Sequence, residues 1–417
     1  MRRRFGVVLI CFAMSGCASP PPAAEQARAN VPRDEAHAEA AIEAATAINA
    51  FAVDLYGAAP ADGNLVYSPA SIALALAMAR SGAVGRTADE MDAVLHEAAS
   101  DDHAAWLNAL DRELASRNGT FTDANETEHE IALRIANAAF AQQGLALKPA
   151  YLDALAARLG AGVQTVDYAA DAEAAREAIN AWVDDHTESR IPELIAPGIL
   201  DELTQLTLVN AIYLRAAWVL PFDASATEPG TFTLPSGSTV EVPTMHADEK
   251  REYAEGDDWQ AVELRYAGPD LSMVVILPKD LQAFEADLSP DLLAQVVAGM
   301  EERLLTLALP RFSIESQLDL GDALADLGMS TAFGTGADFS GITDEAQLFI
   351  DAVVHQANID VDELGTEAAA ATAAMMPTSG AESATMIVDR PFLFLLRDIP
   401  TGAILFLGRV TDPYAGA

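Results

Sequence analysis

From about Glu39, apolar residues recur at three- and four-residue spacing through Ile42, Ala45, Ile48, Phe51, Ala52 and Leu55. This period predicts an amphipathic helix. Pro149–Leu159 and Ala172–His186 carry the same period, whereas Ser71–Arg80 is apolar on every side and predicts an enclosed helix. Later the pattern changes. Leu206–Leu214, Met273–Leu277, Leu304–Leu309, Phe349–Val361, Phe392–Leu396 and Ile404–Arg409 are short and mostly apolar. Such runs predict strands, several of them covered on both faces. No linker or internal repeat interrupts residues 39–417, so one large domain of mixed α/β character is expected.

One segment fits neither pattern. From Gly365 to Ala374 every residue except Glu367 is small, and no Lys or Arg occurs between Gly365 and Asp389. Two readings stand on residue chemistry. The alanines after Thr366 favour a capped helix, since Ala has the highest helix propensity. That helix would have no apolar stripe to pack. Alternatively the run is an exposed loop able to enter a sheet as a strand. Strand geometry sends alternate side chains to one face. Thr366, Ala368, Ala370, Thr372 and Ala374 would then enter the core together, with Glu367 on the solvated face.

Composition narrows the function. The 417 residues include 63 acids and 24 bases, of which only Lys148, Lys250 and Lys279 are lysines, for a formal charge of −39. This excludes nucleic acid as an expected partner, because phosphate binding depends on Lys and Arg. Met1-Arg-Arg-Arg4 followed by the apolar run Phe5–Met14 reads as an export signal too short to span a bilayer. Met14-Ser-Gly-Cys17 resembles the lipobox of bacterial lipoproteins, which implies cleavage after residue 16 and a lipid on Cys17. An ordinary secretory signal cut after Ala13 or Ala18 is the alternative. Residues 17–38, rich in Pro and Ala, are expected to be a flexible tether. The two cysteines, Cys11 and Cys17, both lie in or at the end of the signal, so the domain has no disulfide, thiol nucleophile or cysteine metal site.

Enzyme motifs are missing. There is no Gly-x-Ser-x-Gly elbow, and His96-Glu97 and His129-Glu130 lack a second histidine at zinc-protease spacing. Gly334-Thr-Gly-Ala-Asp-Phe339 lacks the third glycine of a dinucleotide fingerprint and reads as a tight turn. The seven histidines show no metal spacing. No cofactor, metal or catalytic residue is expected. Asn118-Gly-Thr120 and Asn125-Glu-Thr127 match the glycosylation pattern formally only.

From about residue 40 to Pro413 the chain resembles the serpins, in motifs standing in the family's order. They are Asn64–Ile72, Leu208-Val-Asn-Ala-Ile-Tyr213, Trp218-Val-Leu-Pro-Phe222, Leu309-Pro-Arg-Phe312, Gly336–Gly341, Phe349–Val361, Arg390–Phe394 and Phe406-Leu-Gly-Arg409. The resemblance implies a large central sheet, two smaller sheets, about nine helices and an exposed reactive-centre loop over about residues 363–386. It implies that Leu208–Tyr213 and Trp218–Phe222 are a strand and turn running under the main sheet. Gly365, Thr366, Glu367, Ala368, Ala369, Ala370 and Ala371 would be the hinge. Ser68, Ser71, Asn210 and His355 would be the polar cluster where the sheet parts, and Trp218 would mark its top. Leu364 departs from the charged residue usual in inhibitory members.

The implied activity is suicide inhibition of a serine protease by a monomeric protein through a covalent acyl complex. Seventeen residues counted from Glu363 place the cut at Ser379-Gly380. Counting back from Arg390-Pro391 gives Gly380-Ala381, and Met376 serves if the loop is shorter. Small residues there and the missing base point to an elastase-like or subtilisin-like target, since an acidic specificity pocket would stay unpaired. A substrate-type serpin without inhibition and an envelope lipoprotein reusing the fold are the alternatives. Ala18 after Cys17 points to the outer membrane.

Overall fold

The computed structural model describes residues 24–96, 103–122, 127–268, 270–366 and 383–414. The expected export signal, Cys17, Glu367–Ala371, Met376 and the expected reactive bonds within Ser379–Ala381 lie outside them.

Two large sheets dominate. The main sheet runs in the order Glu25–Ala27, Val163–Val166, Glu128–Gln142, Leu206–Ala217, Gly365–Thr366, Ala352–Val361 and Phe312–Asp319, with Gly119–Thr122 attached to 128–142. Leu206–Ala217 lies at its centre, antiparallel to 128–142 and parallel to 352–361. This corrects the expectation that Leu208–Tyr213 runs beneath the sheet.

The second sheet is ordered Ser383–Ile387, Glu301–Pro310, Thr239–Glu255, Trp259–Arg265, Leu271–Pro278, Phe392–Asp398, Ile404–Val410 and Leu65–Tyr67, with Glu228–Thr233 beside 239–255. The two smaller sheets expected from the sequence share one strand. Residues 244–253 pair with 301–310, and residues 252–255 turn to 260–263.

Nine α-helical segments lie among the described residues. Pro69–Arg80 starts with proline at its first turn, and the Ser68 hydroxyl accepts from the Ser71 N–H at 3.2 Å. Every residue from Pro69 to Ala79 is buried, because the helix is enclosed between the two sheets. Ala172–His186 is capped by Asp171 and packs on the other face of the main sheet.

Strand 206–217 therefore has two apolar faces. Leu208, Ile212, Leu214 and Ala216 join the large core, while Val209 and Ala211 meet the helix 172–186. Strands 271–278 and 404–410 are buried throughout, as their unbroken apolar runs predict.

The expected tether is not free from residue 24 onward. Residues 25–27 add an edge strand to 163–166, and Arg33 donates to Asn108 at 2.7 Å and to Asp111 at 2.6 Å. Helix Ala38–Ala58 follows.

Candidate functional site

Strand register builds the site. Asn210 faces Asn137 on one neighbour and His355 on the other, so three polar side chains form a row across three adjacent strands. Their core-facing register brings them against the start of helix 69–80. The Ser68 N–H donates to His355 Nε2 at 3.0 Å, and His355 Nδ1 bonds to Asn210 Oδ1. Asn210 Nδ2 donates to Ser71 Oγ and to Asn137 Oδ1, and Ser71 Oγ donates to Asn137 at 3.0 Å.

His355 is fully buried, and desolvation pushes its pKa from 6.5 down to about 3. It is therefore a neutral ring whose Nε2 accepts and whose Nδ1 donates. The structure brings Ser68, Ser71, Asn210 and His355 into one hydrogen-bonded cluster. Asn137 completes the network and was missed.

Above this row the sheet is wedged apart. Strands 206–217 and 352–361 pair directly only from Thr207/Ala352 to Ile212/Ala357. Higher up, Gly365 and Thr366 stand between them, paired with Ala217 and Ala216 on one side and with Val361 on the other. A Cβ on Gly365 would lie 2.1 Å from the Ala216 carbonyl oxygen, so only glycine fits this approach.

Trp218 sits beside the wedge rather than in the polar row. It is 2% exposed, stacks on Tyr266 with ring centroids 4.4 Å apart, and donates Nε1–H to the Asp362 carbonyl at 3.0 Å. Its own N–H donates to the Leu364 carbonyl and that of Phe222 to the Glu363 carbonyl, both at 2.8 Å. The Tyr266 hydroxyl lies 2.7 Å from Thr366 Oγ1.

Glu363 is held by Arg311 at 2.6 Å and by the Thr227 hydroxyl. Burial pushes its pKa up, but the hydrogen bonds from Arg311 and Thr227 prevail and leave it below the ordinary value. Tyr266, Arg311 and Thr227 were also missed by the sequence reading. Their signal was spatial: each meets Glu363 or Thr366 from a position remote in the chain.

Among the described residues no group of three or more His, Cys, Asp and Glu is placed to hold a metal.

The two central strands of the sheet are thus paired at one end and held apart at the other by residues 365–366, on a fold of two large sheets packed with helices. Residues 46–413 match the family model described as Serpin (serine protease inhibitor), and the chain belongs to that family. An uncharacterised serpin-like protein of Thermococcus kodakarensis is 41% identical over 380 residues, covering 89% of this chain and 86% of the relative. The leukocyte elastase inhibitor of Bos taurus is 37% identical over 386 residues, covering 87% and 97%.

Among solved structures, the highly specific serpin Serpin48 of Tenebrio molitor superposes with a TM-score of 0.78 at 31% identity, covering 89% of this chain and 98% of that one. The thermophilic serpin tengpin in its native state gives 0.81 at 25% identity, covering 94% and 100%.

Proposed function

We propose that this chain is a suicide inhibitor of serine proteases, working by insertion of its loop between strands 206–217 and 352–361. The observation that carries this reading is the Gly365–Thr366 pairing, which already aligns the loop with the slot. Continuing that antiparallel register past Thr366 opposite Ala216 sets Ala368 opposite Leu214, Ala370 opposite Ile212 and Thr372 opposite Asn210. The core-facing positions thus receive alanines, and the one hydroxyl arrives at the polar row. Insertion separates His355 from Asn210, and the Thr372 hydroxyl replaces a lost partner where an unmatched buried group is costly.

In this reading the uncleaved fold is kinetically trapped with its loop outside the sheet. A protease attacks near Ser379-Gly380 and forms its acyl-enzyme. Release of the strand end lets the loop enter and drags the protease along before water can complete hydrolysis. The inhibitor contributes no catalytic group. Small residues at the cut and relatives named as elastase inhibitors favour an elastase-like or subtilisin-like target.

Incubation of residues 18–417 with pancreatic elastase, subtilisin and trypsin tests this. The expected product is an SDS-resistant adduct and a released peptide beginning near Gly380. Cleavage by each protease without any adduct contradicts it.

Export and lipid attachment through Cys17, placing the inhibitor on the outer membrane, belong to the same proposal. Labelling with radioactive palmitate that is lost in Cys17→Ser checks that part.

A further inference from the structure

The two ends of the main sheet differ in what they carry. Glu25 pairs with Thr165, Thr165 with Ala141 and Ala141 with Leu206, so these four residues form one row across the sheet. At a strand spacing of about 4.8 Å, Glu25 stands about 14 Å from Leu206. Gly365 pairs with Ala217, at the far end of the same central strand and about 36 Å from Leu206. The N-terminal segment thus joins the sheet at the pole opposite the hinge. The stretch from Cys17 to Ala24, fully extended, reaches at most about 25 Å. A lipid on Cys17 would therefore hold a bilayer within reach of this pole and short of the hinge.

Three turns build the pole. Residues 143–147 follow strand 128–142, residues 167–171 follow strand 163–166, and residues 196–205 precede strand 206–217. The Gln142 N–H donates to the Gln205 carbonyl at 3.0 Å and the Ala169 N–H to Gln142 Oε1 at 3.1 Å, which ties them together. In the last turn Leu200 and Thr204 are buried and fix the backbone. Asp201 Oδ1 accepts from the Leu203 N–H at 2.8 Å, and Thr204 Oγ1 accepts from the Asp201 N–H at 3.0 Å. That closure holds Leu203 outward, 78% exposed, with Ile199 46% exposed on the same turn. Ala146, Ala169 and Ala170 are exposed on the other two.

A single exposed leucine is ordinary on a protein surface. Here the most exposed large apolar side chain among the described residues shares its turn with a second one, at the pole to which the anchor leads. Charge does not supply the attraction. The three turns contain the acids Asp167, Asp171, Asp201 and Glu202 and no Lys or Arg. Such a surface is repelled by anionic lipid and suits a zwitterionic headgroup layer.

We propose that this pole is the face the uncleaved protein turns to a phospholipid bilayer, with Leu203 and Ile199 sunk to the boundary of headgroups and acyl chains. Contact removes their apolar surface from water, and the tether keeps the bilayer at high local concentration. The reactive-centre loop then points away from the membrane, where a soluble protease meets it. The contact belongs to the uncleaved state, because the insertion register sets Ser379 level with Leu203 and brings a trapped protease to this pole. Docking in the cell rests on the reading of Cys17 as lipidated, whereas the affinity of the pole for a bilayer does not.

Hydrogen exchange read by mass spectrometry tests the contact. Cys17 is the only cysteine in residues 17–417, so that chain couples uniquely to a maleimide-bearing lipid in phosphatidylcholine vesicles. Against the same chain with Cys17 blocked and no lipid, exchange in residues 198–204 should slow on the vesicles. Exchange in residues 223–227, beside Glu363, should not change. Vesicles rich in phosphatidylglycerol should give less slowing. The double variant Ile199→Ser, Leu203→Ser should lose the effect and, with both positions exposed, melt as wild type does. Should it melt lower, Leu203→Asp alone serves, and it should lose most of the effect.

Unchanged exchange in 198–204 on coupling, slowing that survives the substitutions, or stronger slowing in 223–227 overturns the proposal. Equal or greater slowing on phosphatidylglycerol overturns the choice of a neutral surface. Absence of palmitate on wild-type Cys17 in cells overturns the lipid reading alone, since the maleimide tether does not depend on it.

Discussion

Acid should open the main sheet through His355. In the fold this ring is buried and neutral with a pKa of about 3, against 6.5 when solvated. The unfolded chain therefore binds one more proton across that window. Stability from His355 is complete above pH 6.5, falls as the pH drops toward 3, and changes no further below it. Each pH unit inside the window costs about 1.4 kcal/mol, and the whole window about 5 kcal/mol. Protonation also removes the Nε2 acceptor used by the Ser68 N–H, the bond that ties the sheet to helix 69–80.

Urea unfolding of wild type and of His355→Gln, measured at half-unit steps from pH 7 to pH 3.5, isolates the effect, because carboxylates titrate in both proteins. Wild type should be the more stable at pH 7, and its advantage should shrink by about 1.4 kcal/mol per pH unit below 6.5. A difference between the two proteins that stays constant over this range refutes the reasoning.

Three further substitutions probe the slot and its surroundings. Gly365→Ala drives a methyl into the Ala216 carbonyl, 2.1 Å away, so the hinge must leave the slot and abandon the Tyr266 hydroxyl. The uncleaved protein should lose about 1–3 kcal/mol, Trp218 emission should shift to the red, and elastase should cleave more chains per adduct formed; unchanged emission and adduct yield would contradict the wedge. Thr372→Val keeps the shape but removes the hydroxyl aligned with Asn210, so the cleaved form should melt lower while the uncleaved form does not; equal melting of both cleaved forms would exclude that register. Ser189 has a φ of +60° in the turn after helix 172–186, so Ser189→Gly should stabilise the uncleaved protein by about 0.5–1 kcal/mol in urea titration, and a destabilised variant would show that no strain resides there.

Much of this architecture is legible in the sequence, and the parts that are not share physical causes. Strands 271–278, 392–398 and 404–410 announce themselves as apolar runs because both of their faces are covered. Strand 128–142 is hidden by its alanines, whose helix propensity opposes the structure that tertiary pairing with 206–217 imposes. Strand 239–255 is masked by charge and by Pro243, since one face meets solvent along much of its length.

The polar row was partly visible. Ser68, Ser71, Asn210 and His355 sit in motifs that resemble the family's, but Asn137 lies within the alanine-rich strand and becomes meaningful only once it is in register with Asn210. Tyr266 follows its strand and meets Thr366 across 100 positions of sequence, a contact no local pattern encodes. The N-terminal residues 24–37 read as tether because they are polar and short of apolar period. What orders them is pairing with 163–166 and the Arg33 bonds to helix His103–Ser116.

The central claim is that residues 367 onward become a strand between 206–217 and 352–361. A crystal structure of the chain after cleavage by elastase tests it most directly. The account predicts a new strand in that position, Thr372 level with Asn210, and His355 parted from Asn210. Strands 206–217 and 352–361 still paired through His355 and Asn210, with the cleaved loop outside the sheet, would contradict it.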